Sequence, residues 1–250
     1  MIILARYLIN FSYDGTNYNG YQKQKGLNTI QGKIEDALKY INNGKYTKIH
    51  ASGRTDAHVH AINQYAHADV DVKITEYKLK CALNSLLPND IYIKGTKLVN
   101  DDFHARYMVE SKEYIYKLNL KEYNPFERNY VYQYCKPLDI DSMKKAIKYF
   151  IGEHDFTTFS SNEDRKENNV RTIFKAEIEE KDNYVTILFK GTGFLKYMVR
   201  IMVGALIMVG EGKIKPNNIE EMFKRKDKSL VKITANPEGL YLKNVEYKKI

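Results

Sequence analysis

The sequence predicts an α+β fold built from two similar halves, and three observations carry that expectation. Blocks with the alternating apolar period of strands are interleaved with blocks of longer helical period. The order strand, helix, strand, loop, strand, helix, strand of residues 1–105 returns approximately over 106–250, an arrangement typical of helices packed on largely antiparallel sheets. Hydrophobic residues make up 43% of the 250, ample for the cores such halves need.

In the first half, Tyr7, Ile9, Phe11 and Tyr13 alternate with Leu8, Asn10 and Ser12, which predicts a strand that Asp14-Gly15 ends with turn chemistry. Beyond a loop at 20–28, Ile30, Ile34, Ala37, Leu38 and Ile41 recur at helical spacing behind Thr29, a residue suited to an N-cap. Lys48 to Ser52 and Ile62 to Ala68 read as strands, so the polar segment 53–61 is expected to be a loop carried between them. A second helix is predicted from Thr75, with Leu79, Ala82, Leu83, Leu86 and Leu87 on one face. Pro88-Asn89-Asp90 stops it ahead of a strand over Ile91 to Val99.

In the second half, Tyr114, Tyr116, Leu118 and Leu120 alternate as a strand, and Met143, Ala146, Ile147 and Phe150 mark a helix. Phe174, Ala176 and Ile178 mark a strand that turns at Lys181-Asp182-Asn183 into another over Tyr184 to Lys190. The polar stretch 160–169 is expected to be an exposed mobile loop. The helix near Leu195 is apolar almost all round (Met198, Val199, Ile201, Met202, Leu206, Val209), which predicts burial between layers; it is too short to span a bilayer. A short helix over Asn217 to Phe223 and a strand over Leu240 to Tyr247 close the chain. No linker-like Gly or Pro stretch separates the halves, so their sheets are expected to abut, leaving a central groove for a large ligand.

Forty Lys plus Arg against 31 Asp plus Glu give a formal charge of +9, which points to polyanionic partners, nucleic acid first. A Lys-, Asn- and Tyr-rich composition without Trp also fits an AT-rich genome, and surface lysines keep any protein soluble. Cys81 and Cys135 are the only cysteines and fit neither a metal knuckle nor a disulfide framework, so both are expected to be reduced thiols. The start is not a signal peptide and no apolar run reaches membrane-spanning length, so a cytoplasmic protein is expected.

The segment Ser52-Gly53-Arg54-Thr55-Asp56-Ala57-His58-Val59-His60-Ala61 concentrates the candidate chemistry, and three readings of it compete. Arg54 and Asp56 can form an exposed ion pair on a turn, worth little energetically. On an extended chain, Asp56, His58 and His60 would share one face as metal ligands do. Against that reading, the other histidines lack a partnering carboxylate spacing, and the chain lacks the strand-helix repetition of a metal-hydrolase barrel. Third, Arg54 keeps the Asp56 carboxylate ionised even when a substrate excludes water, and a positioned carboxylate is a competent nucleophile.

The third reading coincides with a family resemblance. The central motif of the tRNA pseudouridine synthase A family, Gly-Arg-Thr-Asp-Ala-Gly-Val-His-Ala, matches Gly53 to Ala61 at every position except His58, where the family has glycine. The resemblance spans essentially the whole chain. Tyr13-Asp14-Gly15-Thr16 with Gly20 and Gln22, then Thr29-Ile30-Gln31, are similar to the family's first strand, forefinger-like loop and opening helix. Phe103-His104-Ala105-Arg106 with Lys112-x-Tyr114-x-Tyr116 follows. Gly152-x-His154-Asp155-Phe156, Arg171-Thr172-Ile173, Phe194 to Arg200 and Glu238 to Leu242 then come in family order.

The resemblance implies two RRM-like or ferredoxin-like halves, with helices on the outer face, and an isomerase that converts uridine to pseudouridine in the tRNA anticodon stem-loop, at positions 38, 39 and 40 in tRNA numbering. It implies Asp56 as nucleophile, Arg54 as its guanidinium partner and wedge for the flipped base, and Tyr114 as the active-site tyrosine. Arg200, on an apolar helix, requires a partner, for which a carboxylate such as Asp56, a phosphate or a structural pair all qualify. Leu240 would wall the base. Arg106, Lys23, Lys25, Lys112, Arg171 and Lys196 are candidate phosphate contacts. No cofactor or metal is implied, the partners are tRNA and a second subunit, and no membrane is involved. His58 either pays for a left-handed backbone or touches substrate. A paralogue acting on ribosomal RNA and a non-catalytic RNA-binding protein are the alternatives.

Overall fold

The computed structural model describes residues 4–161 and 168–248, so the loop expected at 160–169 lies mostly outside the described residues. It is a mixed α+β protein whose strands pair mainly antiparallel. The chain divides into two compact units, Met1–Glu110 with Leu242–Ile250, and Ser111–Tyr241.

The first unit is built on β1 (Ala5–Tyr13), which pairs antiparallel with both β3 (His60–Val70) and β4 (Ile91–Leu98). The short β2 (His50–Ala51) joins β3 from the other end of the functional loop. Helix α1 (Ile30–Ile41) begins where the sequence predicts, with Thr29 Oγ1 accepting from Gly32 N at 3.3 Å, and α2 (Glu76–Leu86) repeats that cap with Thr75. Their apolar stripes, Ile30, Ile34 and Leu38 on α1 and Leu79 and Leu83 on α2, are buried, as are Ile9 and Phe11 of β1. One charge is buried with them. Glu35 accepts from Lys23 Nζ (3.1 Å), Gln31 Nε2 (2.8 Å), Tyr46 OH (2.9 Å) and Ile49 N (3.3 Å), and these donors offset its desolvation. Through them α1 anchors the loop at 20–28 and the approach to β2.

In the second unit, β5 (Val109–Asn119), β9 (Tyr184–Gly191), β8 (Val170–Lys181) and β7 (Gly152–Asp155) lie side by side, with β6 (Tyr132–Gln133) parallel on β5. The β8–β9 hairpin turns through Asp182 (φ 53) and Asn183 (φ 61), both left-handed, the geometry that matches strand twist in a two-residue turn. Helix α3 (Ile140–Ala146) tightens into a 3-10 turn over Ile147–Phe150, and Phe150, Phe156, Phe159 and Phe223 pack edge to face nearby. Helix α4 (Met198–Gly210) is buried at every residue but Arg200, as its uniform apolarity requires. A short α5 (Asn218–Arg225) follows, then β10 (Leu240–Tyr247). From Leu242 onward β10 belongs to the first unit, where Asn63 Nδ2 donates to Lys243 O (3.0 Å) and Tyr247 OH to Ala105 O (2.8 Å).

Three histidines that the sequence scatters meet here. His50 stacks on His67 at 5.0 Å between ring centroids, His104 meets His67 edge-on at 4.6 Å and lies tilted to His50 at 5.6 Å, and His67 Nδ1 accepts from Ala105 N at 3.1 Å. Burial, then the neighbouring His104, pushes His67 down to about 4. Because the folded value lies below the unfolded one, this contribution to stability is complete above pH 6.5 and is lost as pH falls toward 4. Chemical denaturation should show about 2 kcal/mol lost from this group between pH 7 and 4.5, and His67→Asn, which keeps an acceptor but cannot titrate, should flatten that slope.

Candidate active site

The loop between β2 and β3 alternates in burial: Ser52 and Thr55 point inward, while Arg54 is exposed and Asp56 half-buried. Each inward group has a partner. Ser52 Oγ lies 2.6 Å from Gln64 Oε1, Gln64 Nε2 donates to Gly53 O (3.1 Å), Thr55 Oγ1 lies 2.7 Å from Tyr13 OH, and Tyr21 N donates to Thr55 O (3.1 Å). A Cβ on Gly20 would stand 3.1–3.3 Å from Thr55 O, Ala57 N and Asp56 C, so the loop at 20–28 packs directly on the backbone of Asp56. Gly15 is required more strictly, since a Cβ there would fall 2.2 Å from Val59 O.

His58 sits at φ 64, so it adopts the left-handed backbone that favours glycine. Its imidazole is engaged with the neighbouring loop: Nδ1 donates to Thr16 O at 2.8 Å, and the His58 N–H donates to Tyr18 O at 3.2 Å. The turn also removes the geometric basis of a metal reading. Asp56, His58 and His60 do not lie along an extended strand, and buried His60 accepts from Gly15 N at 3.1 Å through Nδ1. His58→Val should cost about 2 kcal/mol relative to His58→Gly, because a β-branched side chain is strained at positive φ; thermal denaturation of the two variants checks this.

In the second unit, Tyr114 lies on β5 opposite Phe189, 7% exposed, with its ring edge-on to Phe194 at 5.0 Å. Tyr116, two residues along, donates to Asn236 O (2.6 Å), and Gly239 is so close to its ring that a Cβ would stand 2.8 Å away. This contact seats the turn Pro237–Gly239 and leads the chain into buried Leu240. Arg200 is held on the first turn of α4 by three contacts to two residues, Ala235 and Tyr197. Its Nε donates to Ala235 O (2.7 Å), its backbone carbonyl accepts from Ala235 N (3.0 Å), and its guanidinium carbon lies 5.1 Å from the centre of the Tyr197 ring. Lys196 Nζ approaches the same ring at 5.3 Å, and Tyr197 itself is left-handed at φ 61.

Of the candidate phosphate contacts, Lys23 and Lys25 line a cleft of about 470 Å³ with Lys33 and Asp36, at the start of α1. Arg106 and Lys196 are exposed, and Lys112 and Arg171 are partly buried on β5 and β8. The sequence did not single out Gln64, and it placed Tyr13 in the strand alternation and in the first family block without a role at the Asp56 loop. Their side chains meet the functional loop only across β-sheet register, a relation that spacing does not encode.

Comparison with known proteins gives the family. A family model described as tRNA pseudouridine synthase matches residues 9–108 and 146–248, which include the Asp56 loop, Arg200 and Leu240. The chain is 45% identical over 237 residues to tRNA pseudouridine synthase A 1 of Bacillus cereus, covering 94% of this chain and 96% of that one. It is 43% identical over 247 residues to tRNA pseudouridine synthase A of an Exiguobacterium species, covering 99% and 100%. A similar protein of that name from Listeria monocytogenes is 43% identical over 247 residues, covering 98% and 100%. The chain therefore belongs to the tRNA pseudouridine synthase family.

Proposed function

We propose that this protein isomerises uridine to pseudouridine in the anticodon stem-loop of tRNA, with Asp56 as nucleophile. The observation that carries the reading is the match of the family model across the Asp56 loop, together with a fold that buries Ser52 and Thr55 and leaves Arg54 exposed and Asp56 half-buried. In the reaction the bond from ribose C1′ to uracil N1 breaks and one from C1′ to C5 forms. The C5 hydrogen leaves as a proton and N1 gains one, so no oxidant, reductant or cofactor enters the balance. The reacting atoms are inaccessible in a stacked base, so the uridine is flipped.

Asp56 attacks the ribose or the uracil ring. Arg54 keeps the carboxylate ionised and fills the space the base vacates, both suited to a planar group that is always charged. Tyr114 stacks on the uracil and its hydroxyl serves as a base; Leu240 supplies an apolar wall. Arg200, oriented by Ala235 and Tyr197, is a second cation for the carboxylate or a phosphate. Lys23, Arg106 and Lys196 contact phosphates, and His58 acts beside the nucleophile through the loop it pins at Thr16. The family resemblance supports a homodimer as the working form.

Incubating the protein with unmodified bulk RNA and mapping pseudouridines by carbodiimide sequencing tests this reading. Sites confined to the anticodon arm of tRNA are expected. Sites only in ribosomal RNA would keep the chemistry and reject the substrate, and no sites at all would leave a silent RNA-binding protein.

A further inference from the structure

We infer that Tyr13 and Gln64 are positioning residues that set the Asp56 loop from behind, so that the rate of the chemical step depends on a buried hydrogen-bond relay that touches no substrate. The inference rests on Asp56 being the nucleophile. Gln64 is fully buried on β3, and its orientation is fixed by a group that can only donate: Tyr65 N reaches its Oε1 at 3.0 Å. Oε1 therefore also receives the Ser52 hydroxyl at 2.6 Å, and Nε2 faces Gly53 O at 3.1 Å. The Tyr13 hydroxyl lies 2.7 Å from Thr55 Oγ1 and so holds the loop two residues beyond Gly53. Every member of the relay is buried: Ser52 and Gln64 0% exposed, Tyr13 4% and Thr55 8%.

The consequence for the loop is geometric. Ser52, Gly53 and Thr55 are each gripped by one end of the relay, and exposed Arg54 and half-buried Asp56 are the residues directly bonded to Thr55 along the chain. Loss of one grip lets the backbone beside Asp56 shift without removing any group that meets RNA. A displacement of about 1 Å of a reacting group can cost on the order of 100-fold in rate. Tyr13 is the cleanest point of entry, because phenylalanine fills the same volume and lacks only the hydroxyl.

The test is single-turnover pseudouridine formation on an unmodified tRNA transcript, with tRNA affinity measured in parallel, for Tyr13→Phe, Thr55→Val and Thr55→Ser. Tyr13→Phe and Thr55→Val should each lower the rate by about 10- to 100-fold while affinity stays within about twofold, and Thr55→Ser, which keeps the hydroxyl, should recover most of the rate. A double variant Tyr13→Phe with Thr55→Val should be no slower than either alone, since both break one bond. If Tyr13→Phe fails to fold, the contrast between Val and Ser at Thr55 decides. Rates within twofold of wild type for both Tyr13→Phe and Thr55→Val would overturn the inference. An active Asp56→Asn control would instead overturn the nucleophile on which it rests.

Discussion

Asp56→Asn is expected to lower pseudouridine formation by at least about 10⁴-fold while leaving tRNA affinity equal to wild type or tighter. The substitution is close to isosteric, so the loop hydrogen bonds at Gly53, Thr55 and His58, none of which uses the Asp56 side chain, stay in place. What is lost is the negative charge and the lone-pair nucleophilicity of the carboxylate, for which an amide has no substitute. Binding should move the other way, because a carboxylate among phosphates is repulsive and its removal raises the local positive potential of a chain already at +9. Gel-shift titration and carbodiimide mapping of the same RNA separate the two effects. Product at the wild-type rate would remove Asp56 from the chemistry.

Gly204→Ala should destabilise the protein by about 3 kcal/mol and lower the melting temperature by roughly 6 to 12 °C. Helix propensity alone predicts the opposite sign, a gain of about 1 kcal/mol for replacing glycine within a helix. The close approach decides: a Cβ at Gly204 would fall 1.8 Å from Ile233 O, and α4 is buried around its circumference and cannot slide away. The segment that must yield carries Ala235, which bonds Arg200 at both Nε and carbonyl, so the rate of the remaining folded enzyme should fall as well. Thermal melts monitored by circular dichroism give the sign directly.

Which features the sequence made legible follows from how each is encoded. Helix α1 and its Thr29 cap were predictable because local spacing and one hydroxyl determine them, and α4 because an unbroken apolar run has only one destination in a small fold. The lone charge on α4 likewise marked Arg200, although its partners Ala235 and Tyr197 did not show. β6 and β7, of two and four residues, are too short to display a period. The Asp56 loop was located by its motif, yet its support was invisible: Tyr13 and Thr55 lie 42 residues apart and meet because Tyr13 pairs with Ala61 across β1 and β3. His58 left two outcomes open in the sequence, and its left-handed backbone together with the bond to Thr16 selects the first, a histidine held in a glycine conformation.

The central claim, conversion of uridine to pseudouridine at the Asp56 loop, is tested most directly by tritium release. C5 becomes the glycosidic carbon of the product, so a tRNA transcript carrying tritium at uracil C5 must lose that label to water with each isomerisation. Wild-type protein should release one tritium for each anticodon-arm uridine converted, and Asp56→Asn should release none while still binding the transcript. Absence of release by the wild-type protein, or release by Asp56→Asn at the wild-type rate, would contradict the account.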